Sequence, residues 1–143
     1  VVFAVSWLFG KKSTIKLRIP FTFFLAYILV IFRIVFFCRE PGSRKAISLV
    51  LFETWGHTFH MHAMFVENII MFIPFGVLLP ILFRKFKSGW ACVLTGFICS
   101  CSIEILQHIT QTGYLQLDDV VTNTTGMLLG WLIWRAWKVD RKI

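Results

Sequence analysis

Apolar residues in this chain gather in long runs, not in the short alternating stretches of a soluble domain. Four runs approach the roughly twenty residues that a helix needs to cross about 30 Å of hydrocarbon. They predict helices over 20–38, 61–83, 90–109 and 119–137. Pro20 suits the first turn of the first helix, where its missing N–H does no harm. Pro74 falls inside the second, beside Gly76, and predicts a kink. Between these two runs, Pro41-Gly42-Ser43 is turn chemistry. Residues 46–55 then read as a short helix on the membrane surface, with Leu49, Phe52 and Trp55 dipping in. Gly113 is the expected turn residue between the third and fourth runs. Val1 to Phe9 is apolar but too short to span, and reads as the end of a truncated helix or as an interfacial segment. The chain begins with Val, so a preceding piece is expected. A cleaved signal peptide is not, because the charged residues follow the apolar run.

The expected fold is therefore all-α: a polytopic membrane helix bundle of about four spans, with a fifth truncated at the N-terminus. Residues 1–19 form a partial apolar segment and basic linker, 20–137 the transmembrane helical domain, and 138–143 a tail. Composition agrees. Of 143 residues, 57% are hydrophobic, and the mean hydropathy is +0.76. A soluble domain of this length has no core large enough for that much apolar side chain, so lipid is the solvent.

The net charge of +8 would suggest nucleic acid in a soluble protein. Here the basic residues lie between apolar runs, at Lys11, Lys12, Lys16 and Arg18, at Arg84, Lys85 and Lys87, and at Arg135, Lys138, Arg141 and Lys142. That arrangement suits cytoplasmic loops and anionic headgroups, so membrane lipids are expected partners and nucleic acid is not. Counting basic residues puts the segment before the first span, the loop at 84–89 and the C-terminal tail in the cytoplasm. The loop 110–118, free of Lys and Arg, lies outside. The loop carrying Arg39, Arg44 and Lys45 is then an external exception. Trp131, Trp134 and Trp137 read as an interfacial belt beside the tail. The four cysteines lack paired CxxC spacing and read as small apolar helix residues, without disulfides. His57, His60 and His62 read as solvated or headgroup-facing.

Polar residues interrupt the apolar runs in a regular way. Gly96, Ser100, Glu104 and Gln107 recur at four, four and three residues, forming one stripe on the third helix. Asp119, Asn123, Gly126 and Gly130 recur at four, three and four on the fourth. Asn68, Phe72, Phe75, Gly76 and Leu79 share a face of the second. Gly126 and Gly130 form a GxxxG, which allows close helix approach and, in one reading, a helix–helix oligomer. Under the charge-derived topology, Glu67 and Asn68, then Glu104, Gln107 and His108, then Asp118, Asp119 and Asn123 meet at one membrane depth near the outer face. Ionisable groups in hydrocarbon are costly and are seldom there without partners or a task.

Glu104 and Asp119 are the candidate catalytic pair, because low dielectric raises carboxylate pKa values and two neighbouring carboxylates split theirs. Asn68, Gln107, Asp118 and Asn123 are the candidate binding residues. The alternative is that all these groups only hydrogen-bond one another and pin the helices. Whether the protein is an enzyme stays open at this point. Arg33 either snorkels to the headgroups or acts as a counter-ion to Glu104 or Asp119. Glu104 and His108 lie one turn apart, but no HExxH is present and no metal site is expected. No nucleotide loop, Ser-His-Asp set or phosphate-binding glycine motif occurs, and no cofactor is expected. A transporter would need carboxylates continuing toward the cytoplasmic half and an inverted repeat; neither is visible.

Three stretches together resemble the VanZ-like membrane proteins, a family named for a teicoplanin-resistance protein. They are N-I-I-M-F-I-P-F-G (Asn68 to Gly76), E-I-L-Q (Glu104 to Gln107) and D-D-V-V-T-N-T-T-G-M-L-L-G (Asp118 to Gly130). The resemblance covers about 61–137. Carried over position by position, the family's polar residues match Asn68, Glu104, Gln107, Asp119 and Asn123, and its structural residues match Pro74, Gly76, Gly126 and Gly130. Where many members carry Arg ahead of the D-D-x-x-x-N motif, this chain has Gly113 and Tyr114. The resemblance implies a multi-pass protein of a bacterial plasma membrane with a role in glycopeptide (teicoplanin) resistance or the cell envelope. Its ligand would be an envelope lipid, a lipid-linked envelope precursor or the glycopeptide itself. The alternatives are a non-catalytic subunit of a membrane complex and a small transporter.

Overall fold

A computed structural model describes residues 14–37, 47–53, 55–56 and 58–140. Four long helices dominate: α1 (Thr14–Phe32), α2 (Phe59–Leu82), α3 (Gly89–Thr110) and α4 (Leu117–Asp140). Among the described residues, α1 with its continuation, α2 and α3 are long and apolar enough to cross a membrane. The fourth helix is less apolar, because it carries Asp118, Asp119, Thr122 and Asn123 near its start and Arg135 and Lys138 near its end. Its 24 residues still reach about 36 Å at 1.5 Å per residue.

The first helix departs from expectation at both ends. Its described part already begins at Thr14, so Pro20 lies within the helix rather than at its start. At the other end it widens into a π-helical turn, Arg33–Phe37, instead of running on as a regular helix. Arg33 heads that turn, is exposed, and makes no ion pair among the described residues, as a snorkelling side chain would. Most of α1 faces outward. It is held to α2 by the Tyr27 hydroxyl, which donates to the Met71 carbonyl at 2.7 Å, and by Phe24 stacked 5.9 Å from Phe75. Pro41-Gly42-Ser43, Val1 to Phe9, Cys38, His57 and the Arg39, Arg44 and Lys45 cluster lie outside the described residues.

The segment expected to be a surface helix is not helical. Ile47–Ser48 (β1) pairs in parallel with Leu115–Gln116 (β2), Ile47 opposite Leu115 and Ser48 opposite Gln116, and residues 51–53 turn. Phe52 takes a positive φ of 63°. Its own backbone N–H is claimed by a side chain of α4, which favours a folded loop over a helical ladder. Leu49, Phe52 and Trp55 are all exposed.

The core lies between α2 and α4, the most extensive helix pair. Without a hydrophobic drive between helices in lipid, close packing must hold them together. Here glycines supply it. A Cβ at Gly126 would run into the Ile69 carbonyl, one at Gly130 into the Ile73 carbonyl, and one at Gly76 into the Met127 carbonyl. The GxxxG face of α4 is therefore occupied by α2 of the same chain. Phe72, Phe75, Leu79, Cys92, Met127, Trp131 and Trp134 complete the core. Trp131 and Trp134 are thus buried rather than belt-forming, and Trp137 alone of the three stays exposed. Helix α2 runs unbroken through Pro74 and Pro80 and is capped at its start by Thr58, whose hydroxyl accepts from the Met61 N–H at 3.3 Å. Cys92, Cys99 and Cys101 are free thiols.

A buried polar cluster at one end of the helix bundle

The stripe on α3 is buried along its length: Cys92, Gly96, Ser100, Glu104 and Gln107 all face inward. The matching stripe on α4 buries Asn123, Gly126 and Gly130, with Asp119 half-buried at its head. Met127 fills the space left by Gly96, where a Cβ would meet its side chain. The two stripes meet so that the small residues occupy the middle of the bundle and the polar ones gather at the end where α3 gives way to α4.

Four of the polar side chains are almost fully enclosed: Glu104 and Gln107 are 3% exposed, Asp118 and Asn123 2%. Buried polar groups require hydrogen-bond partners, and buried charges require them most. Asn68 on α2 donates through Nδ2 to Oδ1 of Asp119 at 2.7 Å, joining α2 to α4. Asn123 on α4 donates to the Ser100 hydroxyl on α3 at 2.9 Å. Ser100 in turn lies 3.5 Å from the Asp119 carbonyl. Three helices are therefore tied at one level by short polar side chains. Ser100 is not among the candidate binding residues of the sequence, although its place on the α3 stripe was the available signal.

The remaining members hold loops. Glu104 Oε2 accepts the Gln116 backbone N–H at 2.9 Å. Asp118 Oδ1 accepts the Phe52 N–H at 2.6 Å. Gln107 Nε2 donates to the Val35 carbonyl, 3.4 Å away in the π turn of the α1 extension. That turn leaves carbonyls without a regular helical partner, and Gln107 serves one of them. The Gln107 carbonyl also receives the N–H groups of Thr112 and Gly113 at 3.0 and 3.4 Å. This folds the 110–116 loop back over the end of α3. The left-handed residue in that fold is Gln111, at φ 57°, not Gly113, because the reversal begins directly after the last helical residue.

Not every candidate joins the group. Glu67 is exposed. His108 is half-buried with its Nδ1 enclosed and unpartnered. His60 is exposed, whereas His62 packs 4.3 Å from the Trp55 ring. Asp119 has a second aspect. It lines a cleft of about 300 Å³ together with Ser48, Glu53, Phe65, Tyr114 and Gln116. Ser48 donates to Glu53 across this cleft. Nothing in the sequence marked Ser48, in β1, or Glu53, which follows it, and Tyr114, beside β2, was marked only as standing where many family members carry Arg. The arrangement offers a half-exposed carboxylate backed by an amide donor, at the mouth of a partly apolar cleft.

Fold and cluster together define an all-α membrane protein whose helices enclose a carboxylate- and amide-rich group at one end. The chain belongs to the VanZ/LLP1 family, whose family model matches residues 23–138. That match takes in the second half of α1 as well as the three motif-bearing helices. The chain is also similar to Protein VanZ of Enterococcus faecium, 36% identical over 89 residues. That alignment covers 61% of this chain and 51% of the relative, so the chain spans about half the length of the curated relative it matches. No solved structure matches the chain.

Proposed function

We propose that this VanZ-family protein is a multi-pass protein of the bacterial plasma membrane that lowers susceptibility to glycopeptides such as teicoplanin. Its polar site near the outer leaflet would bind or modify an envelope lipid or a lipid-linked precursor. The observation that carries the reading is Asp119: a carboxylate held by Asn68 and open to a cleft whose other walls are both polar and apolar. A ligand with a polar head and an apolar tail fits such a wall. Membership of the VanZ/LLP1 family supports the resistance role, and the basic turn 84–87 at the opposite end supports an external position for the cluster.

The two proposed catalytic carboxylates divide into different tasks on this reading. Asp119 faces the cleft and is the group that would touch ligand. Glu104 holds the Gln116 N–H and so positions the loop that carries Tyr114 into the same cleft. Asp118 holds the other wall through Phe52. The role of subunit in a membrane complex has a specific observation against it, because the GxxxG face that would serve it is filled by α2.

The test is drug susceptibility in a sensitive Gram-positive host expressing the wild type, Asp119→Asn or Glu104→Gln. Loss of resistance in both variants, with membrane levels of folded protein unchanged, is the expected result. Resistance retained in Asp119→Asn would refute the ligand role, and a lower folded yield accompanying every loss would reduce the cluster to helix pinning.

A further inference from the structure

The opposite end of the bundle carries a second cleft, of about 430 Å³, which the polar cluster does not involve. Its walls are Lys87 from the turn 84–87, Gly89 at the start of α3, and Trp131, Trp134, Arg135 and Lys138 from α4. Three cations from two separate elements converge there, and none of the lining residues is acidic. The two indoles form its floor. Trp131 donates through Nε1 to the Lys87 carbonyl at 3.4 Å, which fixes the ring and the turn together. Gly89 lets that ring lie flat against the helix start, since a Cβ there would come within 3.0 Å of it. The Arg135 guanidinium stands 5.2 Å from the Trp131 ring centroid, and the Lys138 ammonium 5.2 Å from that of Trp134. Cation–π contact holds both heads over the rings without neutralising them.

One further feature points the same way. Ser88 precedes α3 but its side chain makes no capping hydrogen bond, so it leaves the positive end of a 22-residue helix uncapped at the rim of this cleft. An anion at this position would meet helix N–H groups and three cations at once, two of them held over indole rings. Gly89 opens α3, one of the helices long and apolar enough to cross a membrane, so a lipid phosphate is the anion that this position would meet, its acyl chains along the exposed apolar flanks of α3 and α4. Trp90 and Trp137 are exposed at this level, 77% and 51%, as interfacial anchors would be.

We infer that Lys87, Arg135 and Lys138, over Trp131 and Trp134, form a binding site for the phosphate of an anionic phospholipid. The site is independent of the proposed chemistry at the other end. Native mass spectrometry of the detergent-purified protein tests it, with phosphatidylglycerol, phosphatidylcholine and inorganic phosphate as probes. Wild type should retain phosphatidylglycerol over phosphatidylcholine, and millimolar inorganic phosphate should not displace it. Arg135→Gln/Lys138→Gln should weaken that retention roughly tenfold or more, as the loss of two surface cations implies. Arg84→Gln/Lys85→Gln removes the same charge from exposed residues of the same end that do not line the cleft, and should leave most of the preference intact. Equal losses in the two double variants would replace the site with a diffuse charge effect and overturn the assignment. Displacement by inorganic phosphate would overturn it in favour of a free-phosphate site. Melting in detergent without added lipid checks that each variant is folded; should Arg135→Gln/Lys138→Gln fail there, Lys87→Gln, on the other element, decides the matter in the same way.

Discussion

Asn123 shows what a single buried amide does in this bundle. Its Nδ2 is satisfied by Ser100, while its Oδ1 is enclosed without a partner. Removing the Ser100 hydroxyl would orphan the donor as well. Ser100→Ala should therefore cost about 1–3 kcal/mol, the penalty for an unsatisfied buried polar group. The check is a lower midpoint of thermal unfolding in detergent, with Ser102→Ala, an exposed hydroxyl on the same helix, as the control. Asp118 is a different case. It anchors the Phe52 N–H from 66 residues away, and Asp118→Ala should free that amide while Asp118→Asn keeps an acceptor in place. Hydrogen–deuterium exchange at residues 51–53 should accelerate in the first variant and much less in the second.

At the level of elements, the α2–α4 pair carries the bundle. Its glycines meet backbone carbonyls, which cannot move aside as a side chain can. Gly130→Leu should therefore separate the helices and cost upward of about 1–3 kcal/mol, the range for overpacked cores. It should appear as loss of folded monodisperse protein, and Gly126→Leu should behave likewise. If either variant remained folded but lost only self-association, α4 would pair with another copy rather than with α2. The Asn68–Asp119 bond lies on the same interface, so helix separation should also abolish whatever the cleft does. Glycine substitutions are for that reason poor probes of function and good probes of packing.

Among the described residues, the two ends of the bundle differ in chemistry. One gathers carboxylates and amides beneath a loop without Lys or Arg. The other gathers Arg84, Lys85, Lys87, Arg135 and Lys138. In the proposed orientation, which rests on charge bias, the second end would face the cytoplasm. In intact cells of a variant lacking the native cysteines, Tyr114→Cys should react with a membrane-impermeant maleimide. Lys85→Cys should react only after permeabilisation. Both being labelled from outside would reverse or remove the proposed orientation, and with it the outer-leaflet position of the Asp119 cleft.

Hydropathy and spacing alone determined the helical membrane class, the extents of α2 and α3 to within two residues, and the inward stripes of α3 and α4. These follow from local rules: twenty apolar residues suffice for a span, and residues three and four apart share a helix face. The family resemblance was legible from residue identities, in three motifs that lie on α2, α3 and α4. Tertiary structure decided the rest. The β1–β2 pairing overruled an amphipathic pattern at 46–55, because Phe52 and Ile47 found partners 66 and 68 residues away that no local rule contains. Burial of Trp131 depended on Gly76 and Gly89 letting it approach, not on the tryptophan's own place in sequence. Which carboxylate faces an open cleft and which holds a loop was likewise settled by long-range contact, because spacing assigns a side chain to a face but not to a partner.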